Sequence, residues 1–378
     1  MIVILSIKEN NGCLKMPYIP HERLSISWEN NEKSFMLSLP WLSMEIEVMD
    51  KDKGWIKDAT EHLHSIPANN NVQRFINDLK DYPIFYIQPR TLEEFKGKDL
   101  QSCPELTLDS STPSTLISTF GCEMAEELKE SAISSWIWDR KKILSKAQIL
   151  GTDLYDPISF VSYLICYRLE WESTTWSGQD GFGQFLGNLL KHDETQFFQA
   201  IGWVSKQSWY TTKKFSQMTK PALVHFEKAR ELIHHFICDE AGHYKFMEEV
   251  FRDLVLDKND FPVGEATKWL LRAYKRVAEI SPLTFSAMIN LFEAAYYEGQ
   301  DPISRVIKMS SKPQAARGYD LHYKINQEHR HCDMPIHLAS YLAPQTYAHT
   351  TLVLGLFELT LNLLDQMEKN LKKRLKMY

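Results

Sequence analysis

Two short stretches in the last third of the chain hold residue types suited to metal chemistry. One reads AlaAlaTyrTyrGluGlyGlnAspProIle, with Glu298 as its carboxylate. The other reads LeuHisTyrLysIleAsnGlnGluHis, its first histidine 24 residues past Glu298, spacing His322, Asn326 and His329 by four and then three. Positions i, i+4 and i+7 share one stripe of an α-helix. Two imidazoles and an amide on one stripe serve an apolar core badly and a metal ion well. Upstream, AspGluAlaGlyHis puts Glu240 and His243 three residues apart, neighbours on a helix face. Mixed imidazole and carboxylate ligands suit iron or manganese, and open positions on such a site suit O2 chemistry.

Further candidates surround these six. Asp239 beside Glu240 and Asp333 on the same stripe as His329 are additional ligands or supporting groups, and His235 shares the Asp239 face. His331 and His337 fall off the stripe and read as solvated or supporting residues. Glu293 lies five residues before Glu298, hence on another face, and reads as structural. Glu170 and Glu172 read as surface carboxylates. Each motif also has a plain alternative: an exposed i,i+3 pair for Glu240 and His243, and a solvated helix end for Glu298, which Gly299 follows. The ligand reading rests on their joint occurrence.

The elements that must position these groups are helices. From about residue 123 the pattern is helical, with helices expected over roughly 156–168, 194–218, 221–256, 263–280, 282–298, 301–309, 313–333 and 344–375. SerGlyGlnAspGlyPheGly lacks a flanking strand and reads as a turn between helices rather than a phosphate cradle. The first 105 residues differ: LeuSerIleSerTrp, SerPheMetLeuSerLeu and MetGluIleGluVal alternate as half-buried strands do, with AsnAsnGluLys as a turn. Helical spacing follows at 55–63 and 72–79, and strand again at 84–87. The expected fold is mainly α: a small α+β domain over 1–105, a polar, proline-containing linker over 106–122, and a helical bundle over 123–378.

Composition narrows the class. Hydrophobic residues make up 44% of 378 and charged residues 24%, enough for a sizeable core and too apolar for a disordered chain. A net charge of −6 gives no reason to expect nucleic acid or an anionic membrane surface as partner. Cys13, Cys103, Cys122, Cys166, Cys238 and Cys332 are scattered without a CxxC pair, which argues for a reducing, cytoplasmic setting. The apolar run Thr351–Leu364 carries Glu358 and is too short to span a bilayer.

The order of the motifs resembles the haem-oxygenase-like diiron oxidases and oxygenases, whose helical fold thiaminase-like and pyrroloquinoline-quinone-synthase-like proteins share. In that family one helix gives Glu and a nearby His, and the next gives Glu in a Tyr-rich context before Pro. A third gives His, Asp and His at spacings of four and three. Glu240 and His243, Glu298 with Tyr296, Tyr297 and Pro302, and His322, Asn326 and His329 match those places over residues 220–335. Asn326 stands where the family has Asp; an amide oxygen brings no charge, so a second metal should bind more weakly. The resemblance implies Fe(II), two per chain, O2, an external electron donor, and N-oxygenation, C–C cleavage or desaturation of an amino-acid-like or fatty-acid substrate.

The N-terminal element order is similar to small winged-helix modules that bind leader peptides in ribosomal-peptide biosynthesis, which would make the substrate peptidyl. A structural appendage or a homodimerisation module is the other reading. Two further functions stay open: a scaffold that has lost its metal, and a thiaminase-like hydrolase using Cys238 or Cys332 as nucleophile.

Overall fold

A computed structural model describes residues 2–4, 18–20, 23–30, 32–39, 42–64, 70–79, 85–103, 140–175, 181–293 and 301–375. The expected linker over 106–122 and the carboxylate of Glu298 lie outside them.

The N-terminal part is a four-stranded sheet backed by two helices. Strands β1 (Ile2–Ile4), β3 (Ser25–Trp28), β4 (Ser34–Leu39) and β5 (Leu42–Glu47) lie in the order β1-β5-β4-β3, with β2 (Tyr18–Pro20) elsewhere. β3, β4 and β5 form an antiparallel meander, and β1 joins β5 in parallel. The alternation of β4 buries Phe35, Leu37 and Leu39 on one face. Helices α1 (Lys53–Glu61) and α2 (Asn70–Leu79) cover that face with Ile56, Ala59, Val72, Phe75 and Ile76, giving this part an apolar core of its own. At the β3–β4 turn Glu32 adopts a left-handed backbone (φ 51°), and Lys53 and Lys57 pair with its carboxylate.

β6 (Phe85–Ile87) pairs with β2 as a separate ribbon and leaves that core. It lies on helix α5 (Pro157–Thr175): Tyr86 stacks on Tyr163, and the Ile87 amide donates to Ser162 Oγ at 3.2 Å. Arg90 grips the buried Asp156 carboxylate at 2.6 Å. Beyond the short helix α3 (Leu92–Phe95), Gln101 bridges to Leu342. Glu170 and Glu172 depart from the surface reading. Glu170 is buried and paired with Arg23, and Glu172 holds Arg168, whose guanidinium also donates to the Asn290 carbonyl.

Helices make up most of the rest. After α4 (Arg140–Ala147), the short β7 (Leu154–Tyr155) and α5 come α6 (Phe182–His192), α7 (Glu194–Thr219), α8 (Ala222–His225), α9 (Arg230–Asp239) and α10 (Tyr244–Leu254). These are followed by α11 (Glu265–Ile280), α12 (Pro282–Phe292), α13 (Pro302–Lys308), α14 (Arg317–Glu328) and α15 (Met334–Ser340). β8 (Gln345–Thr346) pairs with β7, and α16 (Tyr347–Leu375) closes the chain. Local chemistry sets the starts: Asp193 accepts from the Gln196 amide, Ser281 caps α12 ahead of Pro282, and Asp301 caps α13 ahead of Pro302. The described part of the chain is therefore mainly helical with a small N-terminal sheet, as expected. Among the described residues no helix is long and apolar enough to cross a membrane.

Two apolar clusters fill the helical part. One centres on α5, α11, α12 and α16, the other on α6, α7, α10 and α14. His349, at the buried start of α16, contacts Ser281 Oγ at 2.9 Å and anchors that helix to the α12 cap. Burial holds its imidazole down to about 4 from 6.5. The unfolded chain thus takes up the proton first, and stability present above pH 6.5 drains away as pH falls toward 4, by roughly 3 kcal/mol. His349→Gln removes the titration. In urea titrations from pH 7 to 4 the stability gap between wild type and variant is expected to shrink; a constant gap would refute this role.

Candidate metal centre

Of the groups that sequence spacing placed on helix faces, Glu240, His243 and His329 sit at helix breaks. The expected helix over 221–256 is interrupted: α9 stops at Asp239 and α10 starts at Tyr244. Between them Gly242 takes φ +102°, a conformation that costs a side-chain-bearing residue dearly. Glu240 and His243 therefore lie on a turn, 2% and 4% exposed, rather than on a helix face. The expected helix over 313–333 is broken as well. α14 ends at Glu328, Arg330 is left-handed (φ 53°), and a 3-10 turn, His331–Asp333, leads into α15 with Pro335 in its first turn.

These breaks sort the candidates. His322, in the middle of α14, faces inward with a buried Nε2, and Asn326 follows one turn later, 9% exposed. His329 points outward, and the left-handed turn swings His331 inward instead, to 2% exposure. His331 is thus no solvated residue, which corrects the stripe reading. Glu293 is corrected too: it caps the end of α12, is 4% exposed, and faces the same space. Asp333 is bound by Arg330 at 2.6 Å, and His235 is exposed, so neither joins the cluster. Asp239 stands at the rim opposite His329.

Two inner triads of ligand atoms result, each within 4.8 Å: Glu240, His243 and His322, and Glu240, Glu293 and His331. Glu240 belongs to both. Its Oε2 is 3.0 Å from His243 Nδ1 and its Oε1 is 3.0 Å from His331 Nδ1. Close as these are, Glu240 Oε1, His243 Nδ1, His322 Nε2 and both His331 nitrogens are buried without a hydrogen-bond partner. Neither 3.0 Å contact has the geometry of a hydrogen bond. Asn326 Nδ2 donates to Glu293 Oε2 at 2.9 Å while its own Oδ1 is buried and unpartnered. Buried polar atoms normally find partners, and a cluster of orphans converging on shared space is what metal ligands look like without the ion.

The electrostatics fit that reading. Burial pushes Glu240 up, but His243, His331 and His322 outweigh it and hold the carboxyl down to about 2. Burial and the Glu240 charge push Glu293 up to about 7. Burial brings His322 down to about 4, so its lone pair is available. Against its own burial, His331 is raised to about 10 by Glu240 and Glu293; a proton there balances the two carboxylates.

No family model matches the chain, and no curated protein is significantly similar to it.

A cavity of about 220 Å³ opens beside the triads, at the seam between the two apolar clusters. Glu240, His243, Glu293 and His322 form one wall, and Phe182, Trp203, Met247 and Leu270 lie among the others. Neither cysteine proposed as a nucleophile lines it. Cys238 is exposed, 3.9 Å from His234, and burial pushes the Cys332 thiol up to about 12, the reverse of activation.

One glycine sets the approach of His322. A Cβ on Gly318 would lie 2.2 Å from the Phe246 carbonyl oxygen and 2.7 Å from Val250 Cγ2, so α14 can lie on α10 only without it. Gly318→Ala should force the helices apart at a cost of about 1–3 kcal/mol and draw His322 away from Glu240 and His243. Lower stability together with weaker cobalt binding is expected. Unchanged values for both would show that the contact is slack.

Proposed function

We propose that the protein is a non-haem iron enzyme that activates O2 and oxidises a substrate held in the cavity beside Glu240 and Glu293. The observation that carries this is the convergence of unpartnered, deeply buried imidazole and carboxylate atoms on two adjoining spaces that share Glu240. The residues suit first-row divalent metals: imidazoles from His243 and His322, and carboxylates from Glu240 and Glu293 to offset the charge. Ferrous iron held there would supply the electrons with which O2 is activated. The chain's own residues bind and orient. Glu240 bridges both triads, Asn326 fixes the Glu293 carboxylate, and the aromatic and aliphatic walls keep bulk water out.

The motif order resembles haem-oxygenase-like diiron oxidases, and this supports iron over other metals and an oxidase or oxygenase over a scaffold or hydrolase. O2 and an external electron donor are the partners this reading requires. The cavity suits an amino-acid-like group, free or as a peptide side chain. The N-terminal sheet supports the peptidyl version, because β3 lies at its edge and an extended peptide could add there as a further strand. That would place the reaction in natural-product biosynthesis.

Iron quantification after anaerobic Fe(II) loading tests the proposal. About two irons per chain are expected, with a transient visible absorption when O2 is admitted. Iron no higher than in His322→Ala, with no colour change, would end it.

A further inference from the structure

We propose that Asp239, His329 and His331 form an outer cation-capture site through which divalent metal reaches the buried triads. This rests on the metal-centre reading and concerns how that centre is filled. Asp239 Oδ2 lies 3.2 Å from His329 Nδ1 and 3.6 Å from His331 Nε2, and the three residues offer ligand atoms within 4.8 Å of one another. The Asp239 and His329 side chains retain 36% and 43% of their exposure, so a hydrated cation can meet them at the surface. His331 is the inward member. It is 2% exposed, and neither ring nitrogen has a hydrogen-bond partner. A simple salt-bridge cluster would aim the Nε2–H at Asp239; this ring does not.

Backbone geometry builds an out-and-in arrangement twice. At the end of α9, Asp239 points to the rim and its neighbour Glu240 to the interior. Across from them, the left-handed Arg330 turns His329 outward and His331 inward. Arg330 itself is paired with Asp333 at 2.6 Å. His331 spans the two sides: Nε2 faces the outer pair and Nδ1 lies 3.0 Å from Glu240 Oε1 and 3.6 Å from Glu293 Oε2.

The metal-binding form of an imidazole is the neutral one, with one N–H and one lone pair. His331 can therefore serve the outer group through Nε2 or the inner group through Nδ1, never both. When it serves the inner group, the proton sits on Nε2, on the Asp239 side, and closing the 3.6 Å gap to Oδ2 would give the carboxylate–histidine pairing that steadies a metal-binding ring. Outer occupancy through His331 is thus a stage of filling and not a resting state.

The experiment follows Co(II) uptake by metal-free protein through its visible absorption in a stopped-flow instrument, with cobalt per chain measured after desalting. His329→Ala is expected to slow uptake roughly tenfold and leave the final cobalt content unchanged. Asp239→Asn should act in the same direction. Because His329 is exposed, an unchanged unfolding midpoint should confirm that the variant folds. Uptake at the wild-type rate overturns the capture site. So does a lower final content at an unchanged rate, which would make His329 an inner ligand. A wild type that takes up no cobalt removes the metal reading and the capture site with it, whereas normal loading with an unaffected variant removes only the latter.

Discussion

Glu240→Gln is expected to abolish metal retention while leaving a folded but less stable protein. Glu240 is the one residue common to both buried triads, with one oxygen toward His243 and the other toward His331. The amide keeps the shape, removes the charge and turns one lone-pair position into an N–H donor. Affinity should fall by more than roughly 100-fold, beyond the loss usual for a supporting residue. The metal-free protein should suffer as well. Its His331 is held protonated, up to about 10, by Glu240 and Glu293 together. Removing one partner of a buried charge pair costs about 3–5 kcal/mol. Elemental analysis after loading and thermal unfolding without metal would read the two effects, with the exposed His337→Ala as control. Wild-type metal content in Glu240→Gln would show that the triads are not the binding site.

What the sequence made legible divides by whether a residue sits within an element or at its end. Period-two alternation located β3, β4 and β5 to within a residue or two, and the expected helix starts at 194 and 282 coincide with those of α7 and α12. His322 and Asn326 were also readable, because both lie inside the unbroken part of α14. The remainder of the centre gathers where helices stop, and periodicity holds no information there. Gly242 was a visible breaker signal, yet the i,i+3 spacing of Glu240 and His243 suggested a continuous helix. Arg330 gives no such signal, since nothing about arginine announces a left-handed turn. Counting on through it exchanged the roles of His329 and His331. Glu293 was misplaced for the same reason: its face was reckoned along a helix running to 298, whereas α12 ends at Phe292.

Asn326→Asp is expected to weaken the metal-free protein and strengthen its hold on metal, a reversal of sign that a purely structural residue would not show. Asn326 Nδ2 now donates to Glu293 Oε2 at 2.9 Å, inside a space that Glu240 also faces. An aspartate there would bring a carboxylate oxygen against another at that distance, and the two could ionise together only at great cost. Glu293 is already raised from 4.5 to about 7 by burial and the Glu240 charge. A carboxyl raised in the folded state binds more protons folded than unfolded. Its contribution is therefore favourable at low pH and lost as pH climbs from 4.5 through 7. The added carboxylate should steepen that loss, so the deficit of the metal-free variant should be large at pH 8 and small near pH 5. A divalent cation reverses the balance, because it turns both carboxylates from mutual repulsion to shared ligation. Unfolding midpoints at the two pH values, with and without Co(II), together with cobalt content after desalting, would test this. A metal-free deficit that no cation relieves, with unchanged cobalt content, would mean that position 326 faces the protein rather than the ion.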